Sequence, residues 1–208
     1  MYFSVIIKGY MIHILFEKIK EIDNNLFFFV HQNLKNSFLD ILMPIITDYG
    51  TWIWPLIIGS IALFIFGGKK GKIACAVLII TILFADNLTS YILKPLFGRI
   101  RPSFSINLLN DIIDKSASKP SFSFPSNHAT NIFAMAMVLS WYYKYFALIF
   151  FTIAGIVGFS RIYVGVHYPF DIVGGALTGI SCALLFIWCV HLITCRFTKY
   201  TEIKSKKN

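Results

Sequence analysis

The sequence predicts an all-α fold, a polytopic transmembrane helix bundle of about six spans, and three observations predict it. First, 57% of the 208 residues are apolar and only 14% are charged. A soluble domain carries about a quarter charged residues, so this chain lacks the charge to coat a globular surface. Second, the mean hydropathy of +0.69 excludes a disordered chain. Third, apolar runs recur at close to the ~20 residues that a helix needs to cross the hydrocarbon core. Twenty-one Phe and 17% aromatic residues suit contact with lipid and with the membrane interfaces.

The elements follow in order. Residues 1–50 form an N-terminal unit in which 2–22 and 25–49 each read as a short span or an interfacial amphipathic helix; Lys35 and Asp40 interrupt the second run. No cleavable signal peptide is expected, because no basic segment precedes the first apolar run and no small-residue cleavage site follows it. Residues 51–195 form the helical core, with spans at about 52–67, 73–93, 128–143, 145–160 and 171–194. A GGKKGK loop at 67–72 and a long connection at 96–125 separate them, and 196–208 is a basic tail.

The net charge of +9 does not point to nucleic acid, because the excess sits in clusters that flank apolar runs. Lys69, Lys70 and Lys72, then Lys144, then Arg196, Lys199, Lys204, Lys206 and Lys207 fall on one face when the spans alternate. The positive-inside rule makes that face cytoplasmic. The cysteines form no disulfide framework. His191 and Cys195 alone are too few for a zinc site, so no metal is expected.

Every conspicuous polar motif falls on the opposite face. KPLFGRIRP carries Lys94 and Arg101 at the end of the third span. PSNH, from Pro125 to His128, opens the fourth, and SRIYVGVHYPFD carries Arg161, His167 and Asp171 between the fifth and sixth. These residues suit a tetrahedral anion. A planar Arg fork matches phosphate oxygens, and Lys adds a point charge. Ser126 stands where a helix N-cap would stand, aiming free backbone N–H groups at the same point. Pro169 is expected to open the last helix with Asp171 in its first turn. Asp171 lies four residues after His167, within reach to orient the imidazole, and His128 supplies a second imidazole for acid–base work. Asp86, Ser90 and Lys94 share a helix face at i, i+4 and i+8; Asp86 is either functional or an interhelical hydrogen-bond partner. Arg99 reaches either an outer phosphate or the interface.

The pattern K-x6-RP, then PSGH, then SR-x5-H-x3-D resembles that of the type 2 phosphatidic acid phosphatase family, over about residues 50–195. The resemblance implies a metal-independent lipid-phosphate phosphatase without cofactors. His167 would be the nucleophile, forming a phosphohistidine, and Asp171 its orienting partner. His128 would protonate the leaving group and then activate water. Lys94, Arg101, Ser126, Asn127 and Arg161 would hold the phosphate oxygens. Asn127 departs from the pattern, which has Gly there; Asn tolerates left-handed backbone but takes room beside the phosphate.

The expected substrate is a phosphomonoester or diphosphate of a membrane lipid: phosphatidylglycerol phosphate, phosphatidic acid, undecaprenyl diphosphate or a lipid A phosphate. The 96–125 connection is expected to select the head group. The expected setting is a bacterial inner or plasma membrane, with the site on the periplasmic or extracytoplasmic side. A phosphotransferase, passing the phosphoryl group to a lipid acceptor, is the alternative. A pure carrier has no need of both histidines, and haloperoxidases sharing this core are soluble. The oligomeric state stays open.

Overall fold

A computed structural model describes residues 2–105 and 121–205. They are mostly helical, with no strand among the described residues beyond an isolated antiparallel bridge between Ile100 and Phe122. The helices are α1 (Tyr2–Phe28), α2 (Ser37–Thr47), α3 (Tyr49–Phe66), α4 (Gly68–Asn87), α5 (Lys94–Phe97), α6 (Pro102–Ser105), α7 (Asn127–Tyr142), α8 (Ala147–Tyr163) and α9 (Pro169–Ser205). Wide π-type turns extend α1 over Phe29–Asn33 and join α4 to α5 over Leu88–Leu93. Among the described residues, four stretches are long and apolar enough to cross a membrane: Tyr49–Phe66, Gly68–Phe97, Lys144–Tyr163 and Pro169–Arg196.

The predicted core spans are therefore all helical, with shifted bounds. GGKKGK is not a loop: the chain turns at Gly67–Gly68, and Lys69, Lys70 and Lys72 lie in the first turns of α4. Helix α7, with 16 residues, is about 24 Å long at ~1.5 Å per residue, short for a crossing. In the N-terminal unit, α1 is long but carries Lys8, Glu17, Lys18, Lys20, Glu21 and Asp23. Helix α2 has only 11 residues, and Asn36 caps it by accepting from the Leu39 N–H at 3.0 Å.

Packing follows from side-chain size. In lipid the apolar effect does not drive helices together, so small residues that admit close approach decide the interfaces. Ala129, Ala134 and Ala136 of α7 are buried against α9 and its neighbours. Gly175 and Gly179 are the closest points: a Cβ would lie 2.7 Å from Ser126 O at Gly175 and would collide with Thr130 O at Gly179. This Gly-x-x-x-Gly seam presses the start of α7 onto the first turns of α9. Val77, Leu78, Val138, Ala183 and Ile187 fill the centre between α4, α7 and α9. Helix α3 buries none of its residues and turns its apolar surface outward, as a lipid-facing helix does.

The two ends of the bundle differ. Lys70 lies over the Tyr143 ring at 4.8 Å, beside the start of α4 and the end of α7. The end of the α4–α5 run, the start of α7, the end of α8 and the start of α9 meet at the other end.

The seam gives a direct test. Gly179→Val has no room and is expected to cost about 1–3 kcal/mol, the usual penalty of overpacking. Gly155→Ala, where a Cβ meets nothing within 4 Å, serves as the control. Thermal unfolding in detergent should show a lower midpoint for Gly179→Val alone; equal midpoints would mean that the two helices are not in close contact.

Candidate active site

The turn after α8 sets the site. Backbone N–H groups of Val166 and His167 both bond Arg161 O, at 3.2 and 3.3 Å, and Gly165 reverses the chain at φ +84. His31 packs on this glycine, where a Cβ would lie 3.0 Å from its ring, and donates from Nδ1 to Tyr163 O at 2.7 Å. The Tyr163 hydroxyl donates to Asp40 Oδ1 at 2.7 Å. The turn is thus wedged between α8, α9 and the N-terminal helices.

Pro169 opens α9 and Asp171 sits in its first turn, as expected. Asp171 Oδ2 accepts from the Tyr168 N–H at 2.9 Å and lies 3.3 Å from His167 Nδ1. The second distance is long for a charge-assisted bond, so the dyad is aligned rather than tightly joined. His167 is 1% exposed and Asp171 is fully buried.

Ser126 caps α7, its hydroxyl accepting from the Ala129 N–H at 3.5 Å. Its own N–H bonds Asp171 O at 3.1 Å, which ties the starts of α7 and α9 together. Arg161, 3% exposed, donates from Nη1 to Thr47 Oγ1 at 2.6 Å. Burial drives the His167 imidazole well below its usual range, and the positive charges of Arg101, Arg161 and Lys94 drive it further. All three cations therefore act on one ring. His128 lies against Tyr49, with ring centroids 4.0 Å apart.

Three sequence expectations take definite form. Asn127 is the first residue of α7, in helical backbone, so left-handed tolerance plays no part. Its Nδ2 donates to Asp86 Oδ1 at 2.9 Å and Ser90 Oγ at 2.6 Å. Asp86 also accepts from Asn131 Nδ2 at 2.9 Å, which makes it an interhelical hydrogen-bond partner of α7. Arg99 reaches two carboxylates, pairing from Nη1 with Asp171 Oδ1 at 2.8 Å and from Nη2 with Asp23 Oδ2.

Sequence reasoning missed Asp23, His31, Thr47 and Tyr49, all N-terminal to the motifs. A buried acid at the end of an apolar run was the available signal for Asp23. The expected selector connection falls largely on residues 106–120, outside the described residues.

Residues 74–195 match the model of the PAP2 superfamily. The chain belongs to that superfamily. A lipid A 4'-phosphatase of Bacteroides thetaiotaomicron is 33% identical over 199 residues, 92% of this chain and 87% of that one. The undecaprenyl-diphosphatase BcrC of Bacillus subtilis is 29% identical, covering 73% of this chain and 75% of that one. The crystal structure of Aquifex aeolicus LpxE superimposes with a TM-score of 0.60 at 30% identity, over 78% of this chain and 93% of that one. The chain is an integral-membrane member of a superfamily whose named relatives are phosphatases.

The buried imidazole carries a pH prediction. A folded-state value below the unfolded ~6.5 means that neutral His167 contributes stability fully present above about pH 6.5 and lost as pH falls. Histidine-selective NMR in detergent is expected to show His167 neutral well below pH 6.5, with His167→Gln assigning the signal. The unfolding midpoint should fall less between pH 7 and 5 in His167→Gln than in wild type. An ordinary titration near 6.5 would contradict the described burial and cation cluster.

Proposed function

We propose that this protein is a metal-independent membrane phosphatase that removes a phosphate group from a lipid phosphate through a phosphohistidine on His167. One observation carries the reading: a buried imidazole aligned with Asp171 and acted on by three cations from separate elements. With Nδ1 held by Asp171, Nε2 attacks phosphorus while the bond to the leaving oxygen breaks. His128 gives that oxygen its proton, then takes one from water in the second step. The water oxygen attacks phosphorus, inorganic phosphate leaves and His167 is restored. Lys94, Arg101 and Arg161 offset the charge that develops on the phosphoryl oxygens, with Ser126 and the backbone of Asn127 at the start of α7.

Among lipid phosphates we favour a phosphorylated sugar lipid of the lipid A type. The relative matching 92% of the chain is a lipid A 4'-phosphatase. Beside His128, Asn127 and Asn131 leave buried Oδ1 acceptors without a partner among the described residues, and Asp86 accepts from both amides. Such acceptors suit a hydroxyl-bearing leaving group better than a prenyl chain. The lysine-rich end of the bundle faces the cytoplasm, and the site faces the opposite side.

Purified protein should release phosphate from lipid A in excess EDTA, and more slowly from undecaprenyl diphosphate, phosphatidylglycerol phosphate and phosphatidic acid. With an aryl phosphate, whose leaving group needs little protonation, His128→Ala is expected to accumulate acid-labile, base-stable phosphoprotein. His167→Ala should accumulate none, and both should turn over lipid about 10²–10⁴-fold more slowly. Wild-type labelling of His167→Ala would assign the nucleophile elsewhere; loss of activity with EDTA, restored by Mg²⁺, would overturn metal independence.

A further inference from the structure

We propose that Asp23, in the N-terminal helix and outside the matched family region, is a positioning residue of the His167–Asp171 dyad, acting through Arg99. The proposal rests on the phosphatase reading and extends the site to α1.

The Arg99 guanidinium is held on three sides. It stacks on the Tyr168 ring at 4.0 Å, Nη1 meets Asp171 Oδ1 at 2.8 Å, and Nη2 meets Asp23. Asp23 is 1% exposed, and its other oxygen accepts from the Phe170 N–H at 2.8 Å. That amide belongs to the first turn of α9, where backbone N–H groups lack intrahelical acceptors. Asp23 thus caps α9 from another helix and, through Arg99, also holds the Asp171 side chain one residue further on. A carboxylate at a helix N-terminus is favourable in its own right.

Charge makes Asp23 more than a brace. Lys94, Arg101 and Arg161 already act on His167. Unpaired, Arg99 would add a further positive charge at Asp171 and cancel the carboxylate that the imidazole needs. Asp23 neutralises Arg99, so Asp23, Arg99 and Asp171 together keep one net negative charge against the imidazolium that forms during phosphoryl transfer. A planar fork suits this bridge, whereas a lysine offers a single point charge.

The test uses full-length protein in detergent and the lipid phosphate it turns over fastest. Asp23→Asn keeps the shape and removes the charge. It is expected to lower kcat about 10- to 100-fold, the range that misplacement of a reacting group produces. KM should stay unchanged or fall, because the phosphate pocket becomes more positive. Facing His167 are Lys94, Arg101, Arg161 and Asp171, with Arg99 and Asp23 behind Asp171. Removing the Asp23 charge therefore moves the acid limb of kcat/KM to lower pH, and Arg99→Gln moves it to higher pH. Arg99→Lys is expected to lower kcat similarly, and adding Asp23→Asn to it should cost less than a further twofold, since both break one bridge. Arg99→Lys alone carries the kcat test if Asp23→Asn does not fold. Wild-type kcat, KM and pH profile in either variant would overturn the proposal, as would a rise in KM alone or fully additive losses. A wild-type protein that releases phosphate from no lipid phosphate would overturn the phosphatase reading first, before any variant is compared.

Discussion

Lys94, Arg101 and Arg161 bring like charges onto one buried imidazole, and their mutual repulsion is the constraint that the rest of the structure must hold. Repulsion of this kind relaxes as soon as any one side chain can swing to water or to head groups. The fold prevents that by anchoring. Arg161 is buried and tied to Thr47, and Lys94 opens α5 near the end of the helical run that begins with α4, itself packed on α7 and α9. In the proposed reaction a phosphoryl group offsets this repulsion.

Holding the cations requires that the ends of separate helices stay in register. The Gly175–Gly179 seam brings α7 against α9, and the Ser126 N–H bond to Asp171 O locks their first turns together. The turn carrying His167 is wedged by His31 and Tyr163, so α1 and α2 brace this turn rather than standing as a detached anchor. Substrate would arrive in the bilayer plane, along helices whose outer faces are apolar, and meet the cations at the bundle end.

Much of this was legible in the sequence because it is written in local spacing. The i, i+4 relation of His167 and Asp171, the capping position of Ser126 and the start of α9 at Pro169 each depend on a few adjacent residues. All three appear in the structure. What spacing does not carry is contact between distant segments. Asp23 and Asp171 share Arg99 although they lie far apart in the chain, and an acid at the end of an apolar run does not by itself name its partners. The fate of Asn127 was hidden for the same reason: its partners, Asp86 and Ser90, are on another helix. The boundaries of the spans shifted because lysines near the interface are accommodated inside the first turns of a helix, as at Lys69–Lys72, instead of ending it.

A structure of the protein with vanadate, which mimics a phosphoryl group in transfer, tests the proposed chemistry most directly. Vanadium should be bonded to His167 Nε2, with its oxygens contacted by Lys94, Arg101 and Arg161 and His128 placed on the leaving-group side. Vanadate bonded to His128, or bound away from His167 with the three cations turned elsewhere, would contradict the assignment of nucleophile and phosphate pocket alike.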